Sequence, residues 1–178
     1  MKNRNRLRSC LRTSFFVLSI AAMLLTLPST KAAEPRTRTE PASGEFFPCF
    51  NYAGPPRQVG DNLIITFNVT GTITGTFTGS FVGTEMDVVH PDGSINLHGS
   101  SVFNGQVGNN SGTLVVTYEG IGNARTGHEN LHAVGSHGTD GLAGVHANIT
   151  LEGEVGAPNP GCDLSGEGLY TGQILFVP

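Results

Sequence analysis

The chain has 178 residues, with 10 Lys+Arg, 14 Asp+Glu, 25 glycines, 3 cysteines and no tryptophan. Six of the cations (Lys2, Arg4, Arg6, Arg8, Arg12, Lys31) and none of the acids fall within residues 1–33, so the remainder carries 4 cations against 14 acids and has no lysine. That net charge of -10 repels phosphate backbones, whose protein affinity comes from Lys and Arg, and so excludes nucleic acid as a partner.

Residues 1–33 read as a secretory signal. A basic stretch precedes the apolar run Phe15 to Leu27, and small residues (Thr30, Ala32, Ala33) follow it. The run has 13 residues, short of the roughly 20 that a spanning helix needs. Secretion or periplasmic export is therefore expected, with no stable membrane insertion after cleavage. Residues 34–45 (EPRTRTEPASGE) are polar and aperiodic, and are expected to form a flexible leader to a domain over 46–178.

Cys49 and Cys162 are the cysteines left once the signal is removed. An isolated pair in an exported protein is most simply a disulfide.

From residue 46 onward no window sustains helical apolar spacing, and glycine and β-branched residues are dense. Alternating runs at 62–70, 72–90, 95–107, 113–121, 130–136, 146–155 and 168–177 predict an all-β domain, a sandwich or barrel. Asp92-Gly93 suggests a two-residue hairpin turn. This register sets Val88 opposite Leu97, Met86 opposite Gly99 and Val82 opposite Phe103 on an apolar inner face. Asp87 opposite His98 and Glu85 opposite Ser100 then form a polar outer face. A turn at 108–111 sets Phe103 opposite Val116, Ser101 opposite Tyr118 and Gly105 opposite Leu114. The apolar phase of 72–81 is opposite to that of 82–88, which predicts a bulge near Gly79 or Gly83. Ala147, Ile149, Leu151 and Val155 alternate with polar residues as another inward strand, and the apolar ending ILFVP reads as a docked one.

The run GTFTGSFVGTEMDVVHPDGSINLHGSSVFNGQVGNNSGTLVVTYEG, followed by GTDGLAGVHANITLEGE and GEGLYTGQILF, resembles bacterial proteins built on the allene oxide cyclase-like barrel. The resemblance covers about residues 60–178 and rests mostly on glycine and turn positions. It implies a single antiparallel barrel of about eight strands with an apolar lumen, similar in shape to lipocalins and dirigent-like proteins. Its relatives include cyclases and isomerases acting on apolar substrates, and many members with no known role. No catalytic residue is carried over.

Leu97, Ser101, Phe103, Leu114, Val116 and Tyr118 are the expected lining of that lumen, with Tyr118 and Ser101 its polar groups. An oriented hydroxyl in an apolar pocket is the usual composition of a ligand site. Asp87 and His98 read as an exposed pair. His128, His132, His137 and His146, beside Glu129, are too widely spaced along strands to converge on zinc, so no metal is expected. Gly-x-Ser-x-Gly and HExxH are absent, no paired inward carboxylates are expected, and the Gly/Thr run at 71–79 lacks the lysine of a phosphate loop, so no cofactor is expected. The reading is a binder of a small apolar molecule. Its rivals are an isomerase or cyclase using Tyr118, and a structural protein assembling through exposed strand edges, with homo-oligomers left open.

Overall fold

The computed structural model describes residues 37–177; the segment read as a signal lies outside them. Strands run β1 (Arg38–Tyr52), β2 (Arg57–Val59), β3 (Asn62–Gly75), β4 (Phe77–Val89), β5 (Ser94–Val107), β6 (Asn110–Asn123), β7 (His128–Ser136), β8 (Val145–Val155) and β9 (Leu164–Phe176). Every ladder is antiparallel: β3 to β9 pair in sequence order, β9 pairs β1, and β1 pairs β3. Eight strands thus close a barrel, and the three-residue β2 extends β3 beyond it. Closure removes the free edges through which strands assemble, which leaves the expected edge-mediated assembly only the short β2.

Up-and-down topology places the connections at 90–94, 123–128 and 156–163 at one end and those at 75–77, 107–110 and 137–144 at the other. The second end is filled. Leu142, in a one-turn 3-10 helix over Asp140–Leu142, is fully buried with Phe77, Val107, Leu114, Val145, Tyr170 and Ile174. Phe77 meets Phe103 and Tyr170 edge-on, with centroids 5.6 and 5.9 Å away.

Strand β1 begins at Arg38, inside the expected leader, and Ala42 is buried in the main core. Cys49 and Cys162 are joined, with Cα atoms 5.3 Å apart, tying β1 to the loop before β9. In the same seam the Tyr52 N–H donates to Asp163 Oδ2 at 2.9 Å, and the Asp163 N–H donates to Asn51 Oδ1 at 3.2 Å.

The sequence-based registers err in two ways, with unequal consequences. The β5–β6 turn is tighter than expected, with Val107 opposite Asn110 and Phe103 opposite Leu114. That slip is of two residues, so Phe103, Leu114, Val116 and Tyr118 keep the inward face. The β4–β5 slip is of one. Asp87 lies opposite Leu97, Met86 opposite His98 and Phe81 opposite Phe103. A one-residue slip reverses every side chain of a strand. Glu85 and Asp87 therefore enter the barrel as a pair of inward carboxylates, against expectation, while Val82 is 59% exposed outside, cross-strand from Val102.

The cause is the turn. His90-Pro91-Asp92-Gly93 forms a four-residue turn in which the Gly93 N–H donates to the His90 carbonyl at 2.9 Å. Proline suits its second position, and Gly93, with φ +88°, supplies the left-handed residue of a three-residue hairpin loop. The expected bulge is absent as well. Residues 72–90 are two strands around a turn at Gly75, and Phe77, Phe81, Glu85 and Asp87 all share one face of β4. The apparent phase change reflects acids placed inside and valines outside.

Candidate functional site

Phe46, Phe50, Phe81, Phe103, Leu114 and Ile149 are among the side chains enclosing a cavity of about 100 Å³ in the barrel. Five of the six expected lining residues border it: Ser101, Phe103, Leu114, Val116 and Tyr118. Leu97 does not. It is buried in a separate cluster with Ile95 and Leu131, toward the end where the 90–94 turn lies. The polar wall also includes Glu85 and Glu129, and Glu154 and Glu167 border the cavity from exposed positions. Glu85 and Glu129 were not expected as lining groups; for Glu85 the signal that could have found it was Pro91, which fixes the longer β4–β5 turn.

The polar groups converge from three strands. Glu85 and Asp87 are successive inward residues of β4, 4% and 6% exposed. Tyr118 comes from β6, where its ring lies over Gly99 of β5. A methyl at position 99 would overlap that ring, so glycine there is a steric requirement. Glu129 comes from the start of β7 and is half-buried.

Burial raises all of these groups, since removing water penalises the charged form. Glu85 is pushed up to about 9, first by desolvation and then by the charges of Asp87 and Glu129. Desolvation lifts Glu129 to about 7, with Asp87 adding to it. Asp87 rises to about 6, also by desolvation, offset by a hydrogen bond from Glu85. Burial and mutual repulsion thus favour a protonated carboxyl within the Glu85–Asp87 pair. The Tyr118 hydroxyl is hydrogen-bonded to Glu85 and is raised by its own burial and by the neighbouring acids. Asp87 Oδ1 is buried and accepts no hydrogen bond. Among the described residues the ion pairs are Arg38–Glu40 and His128–Glu152, so no cation offsets these carboxyls.

The expected Asp87–His98 pair does not form: Asp87 points inward and His98 is exposed. The histidines stay apart. His128 approaches Glu152 at 3.7 Å, the His132 ring nitrogen Nε2 lies 2.9 Å from Asn148 Oδ1, and His137 pairs with Ser136. No three His, Cys, Asp or Glu residues gather as a metal site needs, among the described residues.

No family model matches the chain, and no curated protein matches it. A solved structure does. A Shewanella oneidensis protein of unknown function, from the DUF3224 family, aligns with a TM-score of 0.60 at 16% identity, covering 79% of this chain and 100% of that one. At that identity the likeness is one of fold alone.

Proposed function

We propose that this is an exported barrel that binds a small molecule with an apolar body in its lumen. The observation that carries this reading is the cavity inside the barrel, walled by phenylalanine, leucine, isoleucine and valine with a few polar groups. Its volume of about 100 Å³ is smaller than the roughly 150 Å³ apolar cavity that admits benzene, so the occupant has only a handful of heavy atoms. The allene oxide cyclase-like resemblance implies the same use of the lumen, and the eight-strand barrel supports it. Export rests on the signal-like residues 1–33, and the Cys49–Cys162 bond favours an oxidising compartment. No helix among the described residues is long and apolar enough to cross a membrane.

The test is native mass spectrometry of the exported protein from its own host, set beside its denatured mass. An occupied lumen shows as extra mass that denaturation removes. Ser101→Leu, which fills the cavity from β5, is expected to abolish that mass while leaving the fold intact. Extra mass unchanged in this variant would place the ligand elsewhere and contradict the reading.

A second reading, an isomerase, is favoured by one observation: a phenol and a protonated carboxyl meet in an apolar site, the arrangement that stabilises a developing oxyanion. It expects Tyr118→Phe to abolish turnover while the ligand still binds.

A further inference from the structure

We infer that the outer face of β4, β5 and β6 is a docking surface for a second copy of this chain, centred on a row of exposed valines. The inference concerns the outside of the barrel and is independent of the lumen reading.

The strand register builds the row. Val82, Val102 and Val115 are direct cross-strand partners on three adjacent strands, and all three point outward. Val134 of β7 adjoins them, opposite Thr117. These four side chains are between 37% and 59% exposed. A lone exposed valine is ordinary, whereas a contiguous apolar patch marks an interaction site. Strand propensity does not account for it, since threonine meets that need at the neighbouring outward positions Thr70, Thr84 and Thr117. The flanking rows are polar and uncharged: Ser80 opposes Asn104 on one side, and Thr84 opposes Ser100 on the other. No outward residue of β3 or β4 is charged, and from β5 the one ionisable outward residue is His98. An apolar centre within a polar rim, poor in charge, is the anatomy of a protein interface.

Charge placement selects the partner. Around the closed barrel β9 lies four strands from β5, on the opposite side. The outward acids Glu45, Glu152, Glu154 and Glu167 belong to β1, β8 and β9. On β6 the outward acid Glu119 stands between His98 and His132. The chain beyond residue 33, with its net charge of -10, repels its own copies wherever acids meet. Docking through the valine row keeps those four acids across the barrel from the contact, beyond the Debye length of about 8 Å at physiological salt. A basic partner would be drawn to the acidic side instead, and an acidic one meets no fixed cation on this face.

The patch is also self-complementary. A two-fold axis through Val102, parallel to the strands, sets Val82 of one copy against Val115 of the other and Val102 against itself. Short side chains throughout let the two walls approach to about 10 Å, the spacing of packed sheets. From β3 to β7 at about 4.8 Å per strand, and over about four outward rows at roughly 6.6 Å, the face covers about 500 Å². A standard interface takes about 800 Å² from each partner, so this one suits a reversible dimer with a dissociation constant on the order of 10 μM.

The test is sedimentation velocity of the exported, disulfide-bonded protein from about 1 μM to about 500 μM, a range that brackets that constant. The average mass is expected to rise from one chain toward two. Val102→Asp sets two like charges at the centre of the contact and should weaken association more than about tenfold. Val102→Thr, near-isosteric and suited to a strand, should weaken it about threefold and keeps the test decisive should the Asp variant misfold. Leu169→Asp adds the same charge at a 61% exposed position on the opposite side and should change nothing. A single chain at about 500 μM, a dimer unmoved by both Val102 variants, or a dimer lost with Leu169→Asp would each overturn the inference.

Discussion

Glu85 sits where an aliphatic residue would cost less, and its protonation links the lumen to stability. Its carboxyl is neutral in the fold up to about pH 9, but in the unfolded chain it ionises near the ordinary 4.5. A folded-state value above the unfolded one contributes stability that is fully present below pH 4.5 and is lost as the pH rises through 9. Asp87 and Glu129 act in the same direction, through about 6 and about 7. The melting temperature is therefore expected to fall steadily from about pH 5 to about pH 9. Glu85→Gln should flatten most of that slope and raise the melting temperature at the alkaline end, as differential scanning calorimetry would record. A second buried hydroxyl has the opposite character. Tyr170 Oη accepts from the Phe77 N–H at 2.9 Å and donates to the Thr74 carbonyl at 3.0 Å, pinning the β3–β4 turn to β9. Tyr170→Phe leaves both backbone groups unpaired, and urea unfolding should show a loss of about 1–3 kcal/mol.

At the scale of elements, the legible strands are those in which apolar residues alternate inward. The face of β5, β6 and β8 follows from that pattern, and Phe103, Leu114, Val116 and Tyr118 lie inside as it requires. Strand β4 breaks it because its inward positions include Glu85 and Asp87 and its outward ones Val82, Met86 and Val88. Pattern matching turned those valines inward. The early part of β1 was illegible for a different reason. Its inward positions Ala42 and Gly44 are small and its neighbours polar, so no apolar alternation marks it. Pro41 and Pro48 also argue against a strand. Yet at Pro41 β1 has only β9 beside it, and at Pro48 the β1–β9 ladder is interrupted, so a missing N–H is tolerated. The β4–β5 turn is where a substitution tests the register. Gly93→Ala forces an alanine to φ +88° and sets its methyl about 3.2 Å from Arg125 Nε. A cost of about 1–2 kcal/mol is expected in chemical denaturation.

At the scale of the molecule, one end of the barrel is packed shut by Leu142 and the core around it, and the other carries the acids and the disulfide seam. The Cys49–Cys162 bond closes a span of 113 residues. In the chain-entropy account, reducing it should cost up to about 4–5 kcal/mol. Guanidinium unfolding with and without reductant would measure this, and an unchanged midpoint would show that the seam is held by packing alone. The eight-strand architecture was legible from strand count and turn chemistry, and the likeness to the Shewanella protein's fold agrees with it. The acidic lumen was not legible, because it depends on one residue of register set by Pro91.

That register is the claim on which the site stands, and a carbon-13 carboxyl NMR titration of Glu85 tests it directly. With Glu85 inside the barrel, its midpoint should lie near 9. A midpoint near the ordinary 4.5 would put Glu85 in water on the outer face, and would contradict both the inward register and the lumen built on it.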